Sequence, residues 1–262
     1  MPRRSRWTTR APSKDGLWTI ELLSWKYFHD FVRQEMLHYS HYVWRGQRDS
    51  SWRLQTSLDR ALKGKLHSVR PSLAADHLER FKYASRGRRG PTALSIQDDN
   101  DWWALGQHHG LATPLLDWTE SPFVALYFAF EETVKPTTGF RSVWALGKVE
   151  DKNREIVEAH RESGPPPVLE YVRPFQDDNN RLLTQAAVFT RAPLGATVDE
   201  WVLEHFAGVV QQAALIHLKI PEKDRADCLC TLNRMNINHK TLFPDLSGSA
   251  EHCNKGLAIR GY

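Results

Sequence analysis

From residue 123 to 130 the hydrophobic positions stop alternating, and Phe123, Val124, Ala125, Leu126, Tyr127, Phe128, Ala129 and Phe130 run on without a polar break. A segment apolar nearly all round predicts a helix covered on several sides. Ser121-Pro122 predicts its start, because a Ser oxygen accepts an orphan backbone N–H and Pro at the first helical position has no donor to leave unpaired. The pattern continues to about residue 132, which makes this the expected central helix.

Earlier in the chain, residues 17–40 carry Leu22, Leu23, Trp25, Phe28, Phe31, Val32 and Leu37 at helical spacing. Residues 41–47 switch to a β-branched and aromatic run that predicts a strand ended by Gly46. Short helices are expected over 53–61 and 76–83, a polar lead-in over 92–100, and a turn at Leu115-Leu116-Asp117-Trp118-Thr119. Beyond the central helix, the pattern predicts a strand over 140–149, a helix over 152–162 and a short extended piece over 168–172, with Pro165 to Pro167 barred from a helix interior. A turn at 177–180 leads into a strand, a bend and a second strand over 181–190. Alternation over 213–220 predicts a half-buried strand, Pro221 opens a helix to about Met235, and residues 238–246 close the domain. Helices come mostly first and strands mostly later, so the fold class expected is α+β.

Composition narrows the class. The chain has 262 residues, enough for a substantial core, with 41% hydrophobic and 25% charged residues, as in ordinary globular proteins. No run approaches the ~20 apolar residues that span a bilayer. Residues 1–16 carry Arg3, Arg4, Arg6, Arg10 and Lys14 with no apolar core behind them, which predicts a flexible basic arm and not a secretory signal; residues 17–262 are expected to form one domain. Three Cys give neither an even disulfide framework nor zinc-ligand spacing, so a reducing, cytoplasmic setting without a metal is expected.

Candidate chemistry concentrates in a few places. A net charge of +4 is compatible with a polyanionic partner. Arg86-Gly87-Arg88-Arg89 is either a phosphate-neutralising loop, with Phe81 and Tyr83 to stack on bases, or a solvated loop. Arg45, beside Gly46 whose missing side chain permits close backbone approach, either meets a phosphate-bearing ligand or pairs with a carboxylate. Asp117 and Thr119 either cap the following helix or face a ligand. His108 and His109, before Gly110, are either structural or act near pH 7 as acid, base or ribose-orienting groups.

Taken in order, Trp44-Arg45-Gly46-Gln47, Gln107-His108-His109-Gly110 running into Leu115-Leu116-Asp117-Trp118-Thr119 and Ser121-Pro122, Arg181 with Gln185 and Phe189, and Leu242-Phe243-Pro244-Asp245-Leu246 resemble the FRG domain family across about residues 40–250. Pro114 departs from the Arg usual before Leu-Leu-Asp-Trp, and Ala187 from the Gly usual after the Gln block. The pattern is similar, more distantly, to the ADP-ribosyltransferase fold with its Arg, Ser-Thr-Ser and Glu blocks. That likeness implies a mixed or antiparallel β core with N-terminal helices. It implies NAD as substrate, held by Arg45, Gly46, His108, Trp118, Thr119 and Ser121, and a toxin or phage-defence effector acting on nucleic acid or protein, with an antitoxin-like neutralising partner and no membrane. The catalytic Glu position corresponds to Gln185, which carries no charge. Asp117, Glu120 and Glu170 are then the candidate carboxylates, with His109 beside them. The alternative is a non-catalytic module that binds a nucleotide or nucleic acid; hydrolytic removal of an ADP-ribose group is a third possibility.

Overall fold

Strand β5 (Phe140–Leu146) turns Val143 and Ala145 to one face and Trp144 and Leu146 to the other, and all four are buried. A strand with both faces covered sits inside a layered domain, since side chains alternate with period two and each face needs its own partner. The computed structural model describes residues 5–9, 15–88, 96, 98–162, 164–174, 184–209 and 213–262. They form a mixed α/β domain built on an eight-stranded sheet.

The other strands are β1 (Trp7–Thr9), β2 (Leu17–Leu22), β3 (Val43–Gln47), β4 (Leu116–Thr119), β6 (Glu170–Val172), β7 (Ala187–Arg191) and β8 (Leu215–Pro221). Their spatial order is β1-β2-β8-β5-β3-β4-β7-β6. Only β2 and β8 pair in parallel; every other neighbour is antiparallel. The helices are α1 (Phe28–Phe31), α2 (Ser57–Ala61), α3 (Arg70–Ala84), α4 (Asp99–His108), α5 (Pro122–Phe130), α6 (Glu150–Ala159), α7 (Val198–His205), α8 (Arg225–Arg234), α9 (His239–Leu242) and α10 (Leu246–Ala258).

One face of the sheet packs Ile20, Trp44, Val143, Ala145, Ile216 and Leu218 against Phe28 and Phe31 of α1, residues 123–130 of α5, and Leu229 and Leu232 of α8. The opposite face packs Val43, Trp118, Trp144, Leu146 and Val188 against Ile156 of α6 and Trp201 of α7. A third cluster joins Leu58, Leu78 and Trp103 of α2, α3 and α4 to Phe189. The expected central helix is in place: Ser121 Oγ accepts from Val124 N at 3.4 Å, Pro122 opens α5, and Ala125, Tyr127, Ala129 and Phe130 are fully buried.

Two expectations fail near the N-terminus. Residues 17–22, read as helical, form β2, because Ile20 and Leu22 alternate into the core and the strand is templated by β8. Trp7–Thr9, read as part of a flexible arm, pair with β2 and set the Trp7 ring edge-on to Phe31 at 5.6 Å. The domain therefore begins with strands and not with helices. The expected turn at 115–119 is instead strand β4, whose Trp118 indole donates to Thr190 Oγ1 at 2.8 Å across the ladder to β7.

Gly46 explains how α5 lies so close to the sheet. A Cβ at this position would stand 2.0 Å from Ala125 O and 2.5 Å from Ala129 N. The missing side chain therefore serves helix packing in this fold. The other end of α5 is held by two arginines. Arg141, fully buried, donates to Ala129 O at 2.6 Å and Glu132 O at 2.9 Å and pairs with Glu222. Arg225 donates to Phe130 O at 2.7 Å and also reaches Glu131 O. Orphan carbonyls at a helix C-terminus carry partial negative charge, so two guanidiniums there satisfy both hydrogen bonding and dipole.

Two stability outcomes follow. Gly46→Ala is expected to cost about 3 kcal/mol, since backbone atoms cannot yield as a side chain can; a urea midpoint measures it. His217 on β8 stacks on Trp144 at 3.7 Å, and its Nε2 is buried without a partner. Burial first, then the charge of Lys219, lowers its pKa from 6.5 to about 3. The folded imidazole stays neutral while the unfolded one takes a proton, so this contribution is intact above about pH 6.5 and is lost as the pH falls toward 3. About 2 kcal/mol should be gone by pH 5, at 1.4 kcal/mol per unit. In His217→Phe, which keeps a ring against Trp144, the loss between pH 6.5 and 5 should shrink by that amount.

Candidate functional site

Strands β3 and β4 pair through a single register, Trp44 with Thr119, and then part. Each is fully paired on its other side, β3 to β5 and β4 to β7, so the sheet is split between them. Arg45 bridges the split: its Nη1 donates to the Asp117 carbonyl at 2.7 Å, which satisfies an acceptor that a ladder bond would otherwise have taken. Its Nε is buried without a partner. Burial pushes the Arg45 guanidinium below its ordinary value, Asp117 works against that shift and Arg60 adds to it; an arginine stays charged regardless.

Above this split lies a cleft of about 770 Å³. Arg45, Gly46, Asp117, Trp118, Thr119 and Gln185 all line it. Residues from three separated sequence blocks thus meet at one place. Asp117 is held at the rim, 61% exposed, with Oδ1 accepting from Gln107 Nε2 at 2.7 Å and Oδ2 3.7 Å from Arg45 Nη1. Thr119 is buried, and its hydroxyl donates to the Gln185 carbonyl at 2.6 Å. The Gln185 side-chain amide donates to Leu242 O at 3.0 Å. Ala186 next to it takes a left-handed backbone, φ 45°, that turns the chain into β7.

The remaining sequence candidates do not line the cleft. Ser121 is the N-cap of α5. His108 and His109 end α4, their rings edge-to-face at 4.9 Å, and neither lines the cleft. Glu170 lines a separate cavity of about 420 Å³ with Asp99 and Arg191, and Glu120 pairs with Arg173 at 2.9 Å. Arg86 sits over the exposed Tyr83 ring at 4.7 Å and Arg88 is exposed, both away from the cleft lining. Arg89, Arg181 and most of the polar lead-in at 92–100 lie outside the described residues. Among the described residues no group of three or more His, Cys, Asp or Glu is placed to hold a metal, and no helix is long and apolar enough to cross a membrane.

Several lining residues escaped sequence reasoning. Arg48 stacks over Trp52 at 4.6 Å and pairs with Glu132. Arg53 pairs with Asp199 and with Glu200 at 3.0 Å. Glu131 stands 3.5 Å from His239 Nδ1, whose ring stacks on Phe243 at 4.2 Å. Arg53, Arg60, Phe128, Glu131 and Phe243 all face the same space. The available signals were the Arg48 to Arg53 stretch just past the Trp-Arg-Gly-Gln block and the Glu131-Glu132 pair ending an otherwise apolar helix.

The site can accept a ligand carrying both anionic and flat apolar parts, since guanidiniums and aromatic rings line one concavity of the size usual for such ligands. Comparison with known proteins agrees with the block pattern in part: the FRG domain family model matches residues 40–138, and this supports the FRG family over that stretch. That stretch contains Arg45, Arg60, Asp117, Thr119, α5, Glu131 and Glu132. No curated protein and no solved structure matches significantly.

Thr119 provides a test of how the cleft floor is assembled. Thr119→Val should cost about 1 to 2 kcal/mol by leaving the Gln185 carbonyl without its donor, while Thr119→Ser should cost less; thermal melts of the two variants compare them.

Proposed function

We propose that the cleft binds NAD as a substrate and that the chain is an ADP-ribosyltransferase-like effector acting on nucleic acid or protein. The observation that carries this reading is the convergence of Arg45, Thr119 and Gln185 on one cleft of about 770 Å³. Arg45 lines the cleft and brings a guanidinium charge to a phosphate there, and the rings of Trp52, Phe128 and Phe243 offer apolar surface to the flat parts of a dinucleotide. In the transfer, the nicotinamide–ribose bond breaks with its electron pair leaving on nicotinamide. A nucleophile of the target bonds the ribose carbon and gives its proton to a base. Positive charge develops on the ribose in the transition state, so a nearby carboxylate lowers the barrier where an amide does so less. Gln185 brings no charge, and in this reading the charge comes from Asp117 at the rim or from Glu131 and Glu132 at the end of α5. In the setting of a toxin or phage-defence effector, a neutralising protein partner belongs to the same proposal.

One observation favours a second reading, a nucleotide-binding module without chemistry. The Gln185 amide is engaged with Leu242 O, and Asp117 is held by Gln107 and Arg45. Groups tied in this way hold a site's shape more readily than they move protons.

Purified protein incubated with NAD labelled in the ADP-ribose part, together with cellular RNA, DNA or protein, separates the two. Transfer of label with nicotinamide release, reduced about 100-fold in Arg45→Ala as expected for losing a charge-assisted contact of about 3 kcal/mol, supports the transferase. Transfer unchanged in Arg45→Ala rules out this cleft as its site. Saturable NAD binding with no release from any acceptor selects the binding module.

A further inference from the structure

Four arginines line the cleft, and their charges are balanced unequally. Arg48 is paired with Glu132, and Arg53 with Asp199 and Glu200. Arg45 meets Asp117 only at 3.7 Å, on a carboxylate that also takes Gln107. Arg60, on α2, is exposed and has no carboxylate partner among the described residues. Its Nη1 donates to Gln55 O at 2.7 Å, and Gln55 lines the cleft too, so the tether keeps the guanidinium at the rim. A guanidinium has five N–H donors, and this bond uses one.

Arg45 and Arg60 line one concavity and Arg60 repels Arg45, a repulsion that Asp117 offsets from an exposed position at the rim. Such an arrangement costs free energy when nothing anionic lies between them, and an anion placed there removes the repulsion and gains charge-assisted hydrogen bonds from both sides. A single phosphoryl group on the floor satisfies Arg45; a second, nearer the rim, is what Arg60 is placed to meet.

We propose that Arg45 and Arg60 form a two-point clamp for a diphosphate, with the deeper phosphoryl group on Arg45 and the outer one on Arg60. The ligand class is then a nucleoside diphosphate or a dinucleotide joined through a pyrophosphate, and not a nucleoside monophosphate. This rests on the nucleotide reading of the cleft given above and holds equally for the transferase and the binding module, since it concerns recognition and not the reaction.

Calorimetric titration of the full chain with ADP, AMP and adenosine tests it. The protein should bind ADP more tightly than AMP, and AMP more tightly than adenosine. Arg60→Ala should weaken ADP about tenfold, to near the AMP affinity, and leave AMP within about twofold, the scale of one charge-assisted contact at an exposed rim. Arg45→Ala should weaken both. Arg60 is exposed and its replacement should leave the thermal midpoint unchanged, so the Arg60→Ala arm stands even where Arg45→Ala folds poorly. If Arg60→Ala keeps the full preference for ADP over AMP, or weakens AMP as much as ADP, the clamp is wrong while the cleft reading survives. If the unaltered protein binds none of the three, both are wrong.

Discussion

The backbone contact between Gly46 and α5 is the constraint on which the rest of the molecule depends. With Ala125 O where a Cβ would stand, β3 and α5 are joined at a distance that no other residue permits. Trp44 and Gly46 face the helix, and the alternation of a strand then commits Arg45 to the other side. Because α5 follows β4 directly, pressing α5 onto β3 also fixes where β4 can run, and β4 meets β3 only at Trp44 and Thr119. The split in the sheet and the position of Arg45 within it are thus consequences of one missing side chain.

The C-terminal end of the same helix is fixed by charge and not by shape. Arg141 and Arg225 hold the carbonyls of Ala129, Phe130, Glu131 and Glu132, so the backbone bearing the two glutamates is pinned before their side chains meet anything. A buried Arg141 without Glu222 and these carbonyls would be very costly, and with them it becomes an anchor. The carboxylates of Glu131 and Glu132 are therefore delivered to the cleft by one buried and one half-buried cation that hold their backbone. One turns to His239 and the other to Arg48.

Much of this was legible in the sequence, and what was missed has identifiable causes. The central helix was plain because its cap, its Pro and its apolar run all point one way, which is what local consistency means. Strand β2 was misread because Leu22, Leu23, Trp25 and Phe28 fit helical spacing while the segment's partner, β8, lies some two hundred residues away in sequence. Long-range pairing overrides local period. Gly46 was legible as a position of close backbone approach, and the fold adds that α5 is one of the things that approach it. Arg60 and Glu131 stand outside the conspicuous blocks, and only tertiary structure brings them to the floor and rim shared with Arg45.

Gln185 concentrates the functional question in one atom pair. Its amide nitrogen donates to Leu242 O and its backbone carbonyl accepts from Thr119, so both ends are engaged in joining β4 and β7 to the C-terminal segment around Phe243. A glutamate in the same place could not donate to Leu242 O, and two acceptors would face each other across about 3 Å at a cost of a lost bond and a desolvated charge. The uncharged side chain therefore suits this wall better than a carboxylate, independently of any chemistry. Chemistry in the cleft that needs negative charge must draw it from Asp117, Glu131 or Glu132, which lie at the rim or just past the end of α5, so the reacting part of a ligand would sit away from β7 and toward the end of that helix.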